Sequence, residues 1–479
     1  MFRSISRRDL LRQSGLGFGS LALAGMFQQA GMLSAQSEPA ERRGDNLRPR
    51  PGHHPAKAKA VIQLFQNGGP SQMDLFDPKT ELTRRNGQPH PEQVETFQLG
   101  NRNVLLGSPF RFARRGRCGM ELSEIIPHLG SVADDLCLVR SMHTENNNHP
   151  FAINMMQTGK TFAGRPAIGS WISYALGSEN QNLPGYVVLR DPAGYNTSGR
   201  MAWSNGWLPA LYQGTEFGSS GNVVPHLRSP QPLPADAQNR RLQLLADLNE
   251  DHRRLHPREL DLDARIYNFE LAARMQLAAS DLLDLSRETA ATRRLYGLDN
   301  PPTAGYGLRC LMARRLVEAG VRFVQVFPPI SPSSQPWDNH GNLRGGLQTI
   351  CAQVDQPSAA LITDLKQRGL FEEVIVLWTG EFGRLPITEG SDGRDHNRHA
   401  FSLLLAGGGF QGGLVHGATD EFGYQAVENR VSVPDLHATL LHQLGLDHTR
   451  LSYLNNGRPE RLTDPEVTGA RVISALLQS

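Results

Sequence analysis

Short runs of mostly apolar, β-prone residues recur along the chain, each closed by glycine, asparagine or proline. They are AVIQLF (60–65), LCLVRSM (136–142), GYVVL (185–189), VRFVQVF (321–327), VIVLWT (374–379) and FSLLLAG (401–407). Several are apolar on consecutive positions, as strands covered on both faces require. Helical patterns precede some of them. GLRCLMARRLVEAG places Leu308, Leu311, Met312, Leu316 and Val317 on roughly one face and stops at Gly320, a C-cap signal, just before the 321 strand. TICAQVDQPSAALITDLKQRGLFEE leads the same way into VIVLWT, with Pro357 predicted to break it. Helix, glycine, strand, repeated, predicts an α/β fold with a mostly parallel central sheet. Residues 238–296 carry helical periodicity and little strand signal, and read as a helical insertion.

Such sheets bind ligands beyond the carboxyl ends of their strands, and the polar residues of interest fall there. After the 60 strand, QNGGPSQMDLFDPK carries Ser71, Asp74 and Asp77. After the 136 strand, HTENNNHPFAINMMQTG carries His143, three asparagines and His149, then a short apolar helix with Asn148 or a neighbour as cap and Pro150 in its first turn. That helix start favours a bound anion beside His149. After the 321 strand, Asp338 and His340 form a D-x-H pair able to converge on one divalent ion. After the 374 strand, TGEFGRLP places Glu381 and Arg384 at the same edge, where a buried glutamate needs a partner. Asp395, His396 and His399 precede the 401 strand, and His416 follows it. Each motif has a bland reading as a solvated turn. Their recurrence at successive loops fits a divalent-metal site better than scattered surface polarity does.

The 479-residue chain has 49 Lys and Arg against 47 Asp and Glu, so no charge surplus points to nucleic acid or anionic lipid. At the N-terminus, SISRRDLLRQSG with consecutive Arg7 and Arg8 precedes a moderately apolar run, which reads as a twin-arginine export signal over residues 1–35. Glycines and Gln28–Gln29 interrupt that run, so a permanent membrane span is disfavoured. Its removal takes away four arginines and one aspartate, lowering the formal charge from +2 to −1. A polar, proline- and arginine-rich linker, 36–58, leads to the domain at 59–479. The expected location is therefore periplasmic or secreted. Cys118, Cys137, Cys310 and Cys351 form no C-x-x-C pair, which argues against a zinc cluster of thiolates and leaves disulfides and isolated thiols both open.

GGPSQMDLFDPK, WDNHGN, LWTGEFGR, GRDH with LAGGG, and GATDEFG with DLHATLLHQLG together resemble the bacterial family catalogued as domain of unknown function 1501. The similarity spans nearly the whole mature chain. The family is usually placed with alkaline phosphatases and sulfatases, which implies a three-layer αβα sandwich, one or two divalent ions, and hydrolysis of phosphate or sulfate esters. The resemblance implies that Glu381 stands at a metal-binding position while Phe382 replaces a usual ligand. It also implies His396, in preference to His399, as a ligand before the next strand, and Asp338 and His340 as upstream ligands. The paired aspartates of sulfatases are replaced by Gln66, Asn67 and Gly68, leaving Asp74 as a displaced candidate. His149 occupies the position of the sulfatase cysteine, so a formylglycine enzyme is not expected. The nucleophile is left open among Ser71, Thr144, His149 and a metal-activated water.

Two functions follow as expectations. One is an exported hydrolase of phosphate or sulfate esters, with small molecules and glycans among its substrates. It would use a divalent ion (zinc, calcium or magnesium) held by Asp74, Asp338, His340, Glu381 and His396, with Ser71, His149 and Arg384 in catalysis and Arg384 or Arg394 steadying the anion. The other is a non-catalytic binding protein on a degenerate scaffold.

Overall fold

The computed structural model describes residues 46–98, 103–218, 235–255, 265–275, 284–330 and 333–478. The expected export signal, residues 1–35, and the start of the linker lie outside the described residues, as do parts of the expected helical insertion. Among the described residues, no helix is long and apolar enough to cross a membrane.

The predicted strands form because each feeds two cores at once. In β1 (Ala60–Phe65), Ile62 and Leu64 enter one core and Val61 and Phe65 the other. The remaining main strands are β2 (Leu136–His143), β3 (Tyr186–Leu189), β4 (Thr215–Phe217), β5 (Phe323–Val326), β6 (Val374–Thr379), β7 (Phe401–Ala406) and β8 (Leu414–His416). In β6 the alternation repeats, with Val374, Val376 and Trp378 on one side and Ile375 and Leu377 on the other. A two-residue alternation buried on both faces is why these runs are apolar on consecutive positions. The order across the sheet is β8-β2-β7-β6-β1-β5-β3-β4, with Val431–Ser432 as a further short strand beside β2.

Helices cover both faces, giving three layers. Introduced in chain order, they are α1 (His149–Thr158), α2 (Ile168–Leu176), α3 (Ala235–Leu255), α4 (Pro301–Glu318), α5 (Leu343–Gln367) and α6 (Val433–Gln443). The first core takes Cys310 and Leu311 from α4 and Leu347 and Leu361 from α5. The second takes Ile153 from α1, Trp171 from α2, and Leu436 and Leu440 from α6. Each such buried leucine or isoleucine contributes about 1.5–3 kcal/mol. The glycine expected to close α4 does so: Gly320 has φ +92, and its N–H reaches the Val317 carbonyl at 3.0 Å.

Pro357 does not break its helix. α5 runs through it for 25 residues, because Val354, Leu361 and Leu365 on either side are packed into the core, which outweighs the one lost backbone bond. The short edge strands β4 and β8 gave too little pattern to be predicted. In the region of the expected insertion, α3 and residues 265–275 are helical, and Leu271 and Met275 of the second helix join the first core. The four cysteines are free thiols, three of them buried.

The sheet is parallel except for β7, which runs antiparallel to both β2 and β6. That exception matters for the site. In an all-parallel sheet the residues before β7 would lie at the opposite edge. Here, the connection from β6 to β7 begins and ends at the carboxyl edge, where the loops after β1, β2 and β5 also emerge.

On α6, His437 is 1% exposed, and its Nε2 lies 2.9 Å from the Met156 carbonyl of α1. Burial pushes its imidazole down from 6.5 to about 4. The fold therefore holds it neutral while the unfolded chain takes up a proton below 6.5. Its stabilisation is complete above pH 6.5 and falls, by up to about 3 kcal/mol, as the pH drops towards 4. His437→Gln keeps a donor for Met156 and removes the titration. Urea unfolding across that window should give a shallower acid limb than the parent protein, and identical slopes would contradict the assignment.

Candidate metal centre

The site is built outward from a buried carboxylate. Glu381, two residues past β6, is fully buried, and both its oxygens accept the N–H of Gly68, at 2.9 and 3.1 Å. Only glycine serves at position 68. Its φ is +116, and a Cβ there would stand 2.7 Å from the Trp337 nitrogen and 2.8 Å from that of Asp338. The loop after β1 is thus pressed against the loop after β5.

His149 opens α1, with Asn148 at the cap position making no side-chain cap bond and Pro150 in the first turn. Its Nδ1 lies 2.6 Å from Glu381 Oε1. Nε2 on the other side of the ring is buried, has no hydrogen-bond partner among the described residues, and faces Asp338 Oδ1 at 3.3 Å. The same carboxylate oxygen meets Nε2 of His340 at 2.9 Å and Nε2 of His396 at 3.1 Å. Those two ring nitrogens are themselves 2.9 Å apart. Arg384 Nη2 donates to Asp338 Oδ1 at 2.6 Å.

The outward faces of the three rings fix their orientation. His396 Nδ1 is 2.6 Å from the carbonyl of Asn147, a group that can only accept, so Nδ1 carries the proton. His340 Nδ1 is bound to Glu389, and His149 Nδ1 to Glu381. With each Nδ1 anchored on oxygen, the three rings turn their Nε2 atoms towards one carboxylate oxygen. This is the way proteins orient histidine ligands of a metal. Two overlapping groups can be drawn with ligand atoms close enough to share an ion: His149 with Asp338 and His396, and His340 with Asp395 and His396.

Electrostatics follow from the same contacts. Burial pushes the Asp338 carboxyl up, but the Arg384 guanidinium and the imidazoles outweigh it and hold it well below the usual carboxylate range. Burial lowers His149 and His340, yet Asp338, with Glu381 in one case and Glu389 in the other, turns both upward. Carboxylates that favour a proton on these rings favour a cation in its place. His396 is pushed down to about 4, burial outweighing the pull of Asp338 while Arg384 and His149 add to it. The centre opens to solvent on one side, since the Asp338 and His340 side chains are 22% and 28% exposed while His396 is 3% exposed. Phe382 packs against His149 and His396, with ring centroids 4.8 and 4.6 Å away, and Phe97 stacks on His396 at 5.0 Å.

Asp338, His340, Glu381, His396, His149 and Arg384 therefore come together. Ser71 and Asp74 form a separate buried group. Arg394 donates to both oxygens of Asp74, at 2.8 and 3.2 Å, and Ser71 Oγ donates to Asp74 at 2.5 Å. Arg384 spends its donors on the carbonyls of Gly68, Gly69, Trp337 and Arg394 as well as on Asp338. His399 turns to Glu95 at 2.9 Å. Thr144 donates its backbone N–H to Arg398, and its hydroxyl is buried. Glu389 and Asn147 were not anticipated, because one sits in a polar turn and the other acts through its backbone. Asp395 accepts the N–H groups of Phe97, Gln98 and His396.

A family model described as protein of unknown function (DUF1501) matches residues 58–477. The chain belongs to this family. No curated protein matches the DUF1501 chain. Among solved structures, it is similar to the lipoteichoic acid synthase of Listeria monocytogenes at 10% identity, over 85% of this chain and 76% of that one, with a TM-score of 0.33. A sulfatase from Pseudoalteromonas sp. is similar at 13% identity over 81% and 68%, with a TM-score of 0.34. The alkaline phosphatase of the Antarctic bacterium TAB5 is similar at 12% identity over 74% and 92%, with a TM-score of 0.30. Likenesses this distant carry neither substrate nor reaction to this family member.

Gly68→Ala tests the frame of the centre. The added methyl meets backbone at an unfavourable φ, so a loss of about 2 kcal/mol or more is expected, read as a lower urea midpoint. A midpoint within error of the parent would show that the two loops do not depend on that approach.

Proposed function

We propose that the protein is an exported, metal-dependent hydrolase of phosphate or sulfate esters, and that His149, His340 and His396, through Nε2, and Asp338 hold its ion. The observation that carries this reading is the convergence of three oriented Nε2 atoms on Asp338 Oδ1, one of them buried without a hydrogen-bond partner among the described residues. A set of three nitrogens and one oxygen suits zinc better than calcium or magnesium, which prefer all-oxygen surroundings. When bound, the ion supplies Lewis-acid polarisation of the ester and activation of water near neutral pH.

The chain's own residues do the remaining work. Glu381, Glu389 and the Asn147 carbonyl hold the three rings in place. Arg384 keeps Asp338 ionised and turned inward. The exposed side at Asp338 and His340 is where an ester would enter, and the start of α1 at His149 offers backbone N–H groups to its anionic part. Ser71 is bound to Asp74 in the separate buried group, which favours water as the nucleophile. A glycan ester is among the substrates this open edge would accept.

A second reading, a non-catalytic binding protein on the same scaffold, draws support from Arg384 and Arg394. Both guanidiniums that would steady an anion are committed to the protein itself.

Metal analysis separates the two. The purified protein should carry a stoichiometric zinc-type ion, and His396→Ala and Asp338→Asn should each lose most of it while remaining folded by circular dichroism. The parent should then hydrolyse members of a panel of aryl phosphates and sulfates, with turnover abolished by a chelator and restored by zinc. Absence of metal rules out the hydrolase; metal without turnover favours the binding protein.

Export rests on Arg7–Arg8 and the apolar run that follows. Protein recovered from the periplasm of an expressing bacterium should begin at Gln36, and an intact N-terminus would refute the signal.

A further inference from the structure

At the far end of α1, the chain forms an open pocket of about 490 Å³ lined by Lys160, Phe162, Arg165, Trp207, Arg458, Glu460 and Asp464. The ten residues of α1 separate it from the start of the helix at His149 by a rise of about 15 Å. It is thus distinct from the cluster around Asp338. Its volume lies in the range of roughly 300–1,000 Å³ usual for small-molecule sites.

The walls are of two kinds. Phe162 and Val467 stand at the lip, 56% and 75% exposed, an uncommon placement for large apolar side chains. Trp207 forms a fixed aromatic wall, stacked on Tyr453 at 5.4 Å and 22°, with the Arg165 guanidinium 5.9 Å from its ring. The polar groups are two ion pairs, Lys160 to Asp464 and Arg165 to Glu460, each at 3.0 Å, with side chains only 9–18% exposed, and the largely exposed Arg458, whose Nε lies 3.7 Å from Glu460. Arg165 is 8% exposed overall, and its Nε is buried with no hydrogen-bond partner among the described residues.

Among the buried groups the charges balance, two of each sign, and this selects the ligand. An anion would meet Glu460 and Asp464, and a cation would meet Lys160 and Arg165. A neutral molecule with hydroxyls on its edge and an apolar face avoids both penalties. Its oxygens accept from Arg165 and Lys160, its O–H groups donate to the carboxylates, and its C–H face lies on the exposed ring of Phe162. We propose that this cavity binds a pyranose unit of a neutral glycan. The assignment does not depend on the reading of the metal centre.

The probes are neutral cello-, manno- and galacto-hexaoses, titrated calorimetrically into the purified protein. At least one should bind in the millimolar range or tighter, and Phe162→Ala should weaken it about tenfold. Because Phe162 is exposed, that variant should keep its melting temperature and its metal content. Glu460→Gln, which removes a charge and keeps the shape, should weaken the same sugar. The proposal is overturned if no hexaose binds at millimolar concentration, if Phe162→Ala binds undiminished, or if binding is lost in His396→Ala and retained in Phe162→Ala.

Discussion

One carboxylate oxygen, Oδ1 of Asp338, organises the carboxyl edge of the sheet. A guanidinium and three imidazole nitrogens meet it within 3.3 Å. This carboxylate stays ionised because Arg384 and the imidazoles around it outweigh its burial, and Arg384 stays in place because carbonyls from three loops hold its other donors. The loops after β1 and β5 and the one before β7 are therefore fastened to one another through the side chain that fixes Asp338. Removing the charge of Asp338 would leave Arg384 buried without its counter-ion, and removing Arg384 would release three backbone segments. The site and the local fold are one structure.

The antiparallel β7 is what lets His396 join. The chain leaves β6 at Thr379, passes Glu381 and Arg384, turns, and returns through Arg394 and His396 before entering β7 at the same edge. A two-residue pairing of Gly383–Arg384 with His396–Asn397 fixes the register of the return. Backbone bonds from Arg394 to Asn339 and from Leu343 to Asp392 tie this hairpin to the segment that carries Asp338 and His340. Three candidate ligands, Asp338, His340 and His396, thus rest on ladder-like bonds rather than on free loops, which is what ligand placement to within a fraction of an ångström demands.

The layers were legible because strands buried on both faces are apolar on consecutive positions, as the VIVLW of β6 is. The edge where chemistry gathers was legible for the same reason, since strand ends are marked by the stop of each apolar run. Partners across long sequence distances were not. Asp74 and Asp338 look alike in the sequence, one after β1 and one after β5, yet Asp74 is matched by Arg394 and Asp338 by Arg384 with three histidines. No spacing rule distinguishes them, because the deciding contacts are made through tertiary structure. Glu389 stands in a turn, TEGSDG, whose composition says only that the chain reverses. Its bond to His340 depends on the hairpin being folded back over the neighbouring loop.

The buried pair of Asp74 and Arg394 bears on how the centre holds its shape. Both side chains are fully buried, and such a pair gains little net stability over apolar residues of the same volume. What it supplies is direction. Arg394 is followed by Asp395, whose carboxylate accepts the His396 N–H, so the ring of His396 is positioned by a backbone clamped on both sides. Phe97 and Phe382 then close against that ring, and its remaining freedom is small. His340 is held differently: its side chain is more exposed and its outer nitrogen is fixed by Glu389 at the tip of a turn. The centre therefore has a rigid side at His396 and a more open one at Asp338 and His340. A ligand entering from solvent would meet the open side first, where His340 has the more room to adjust.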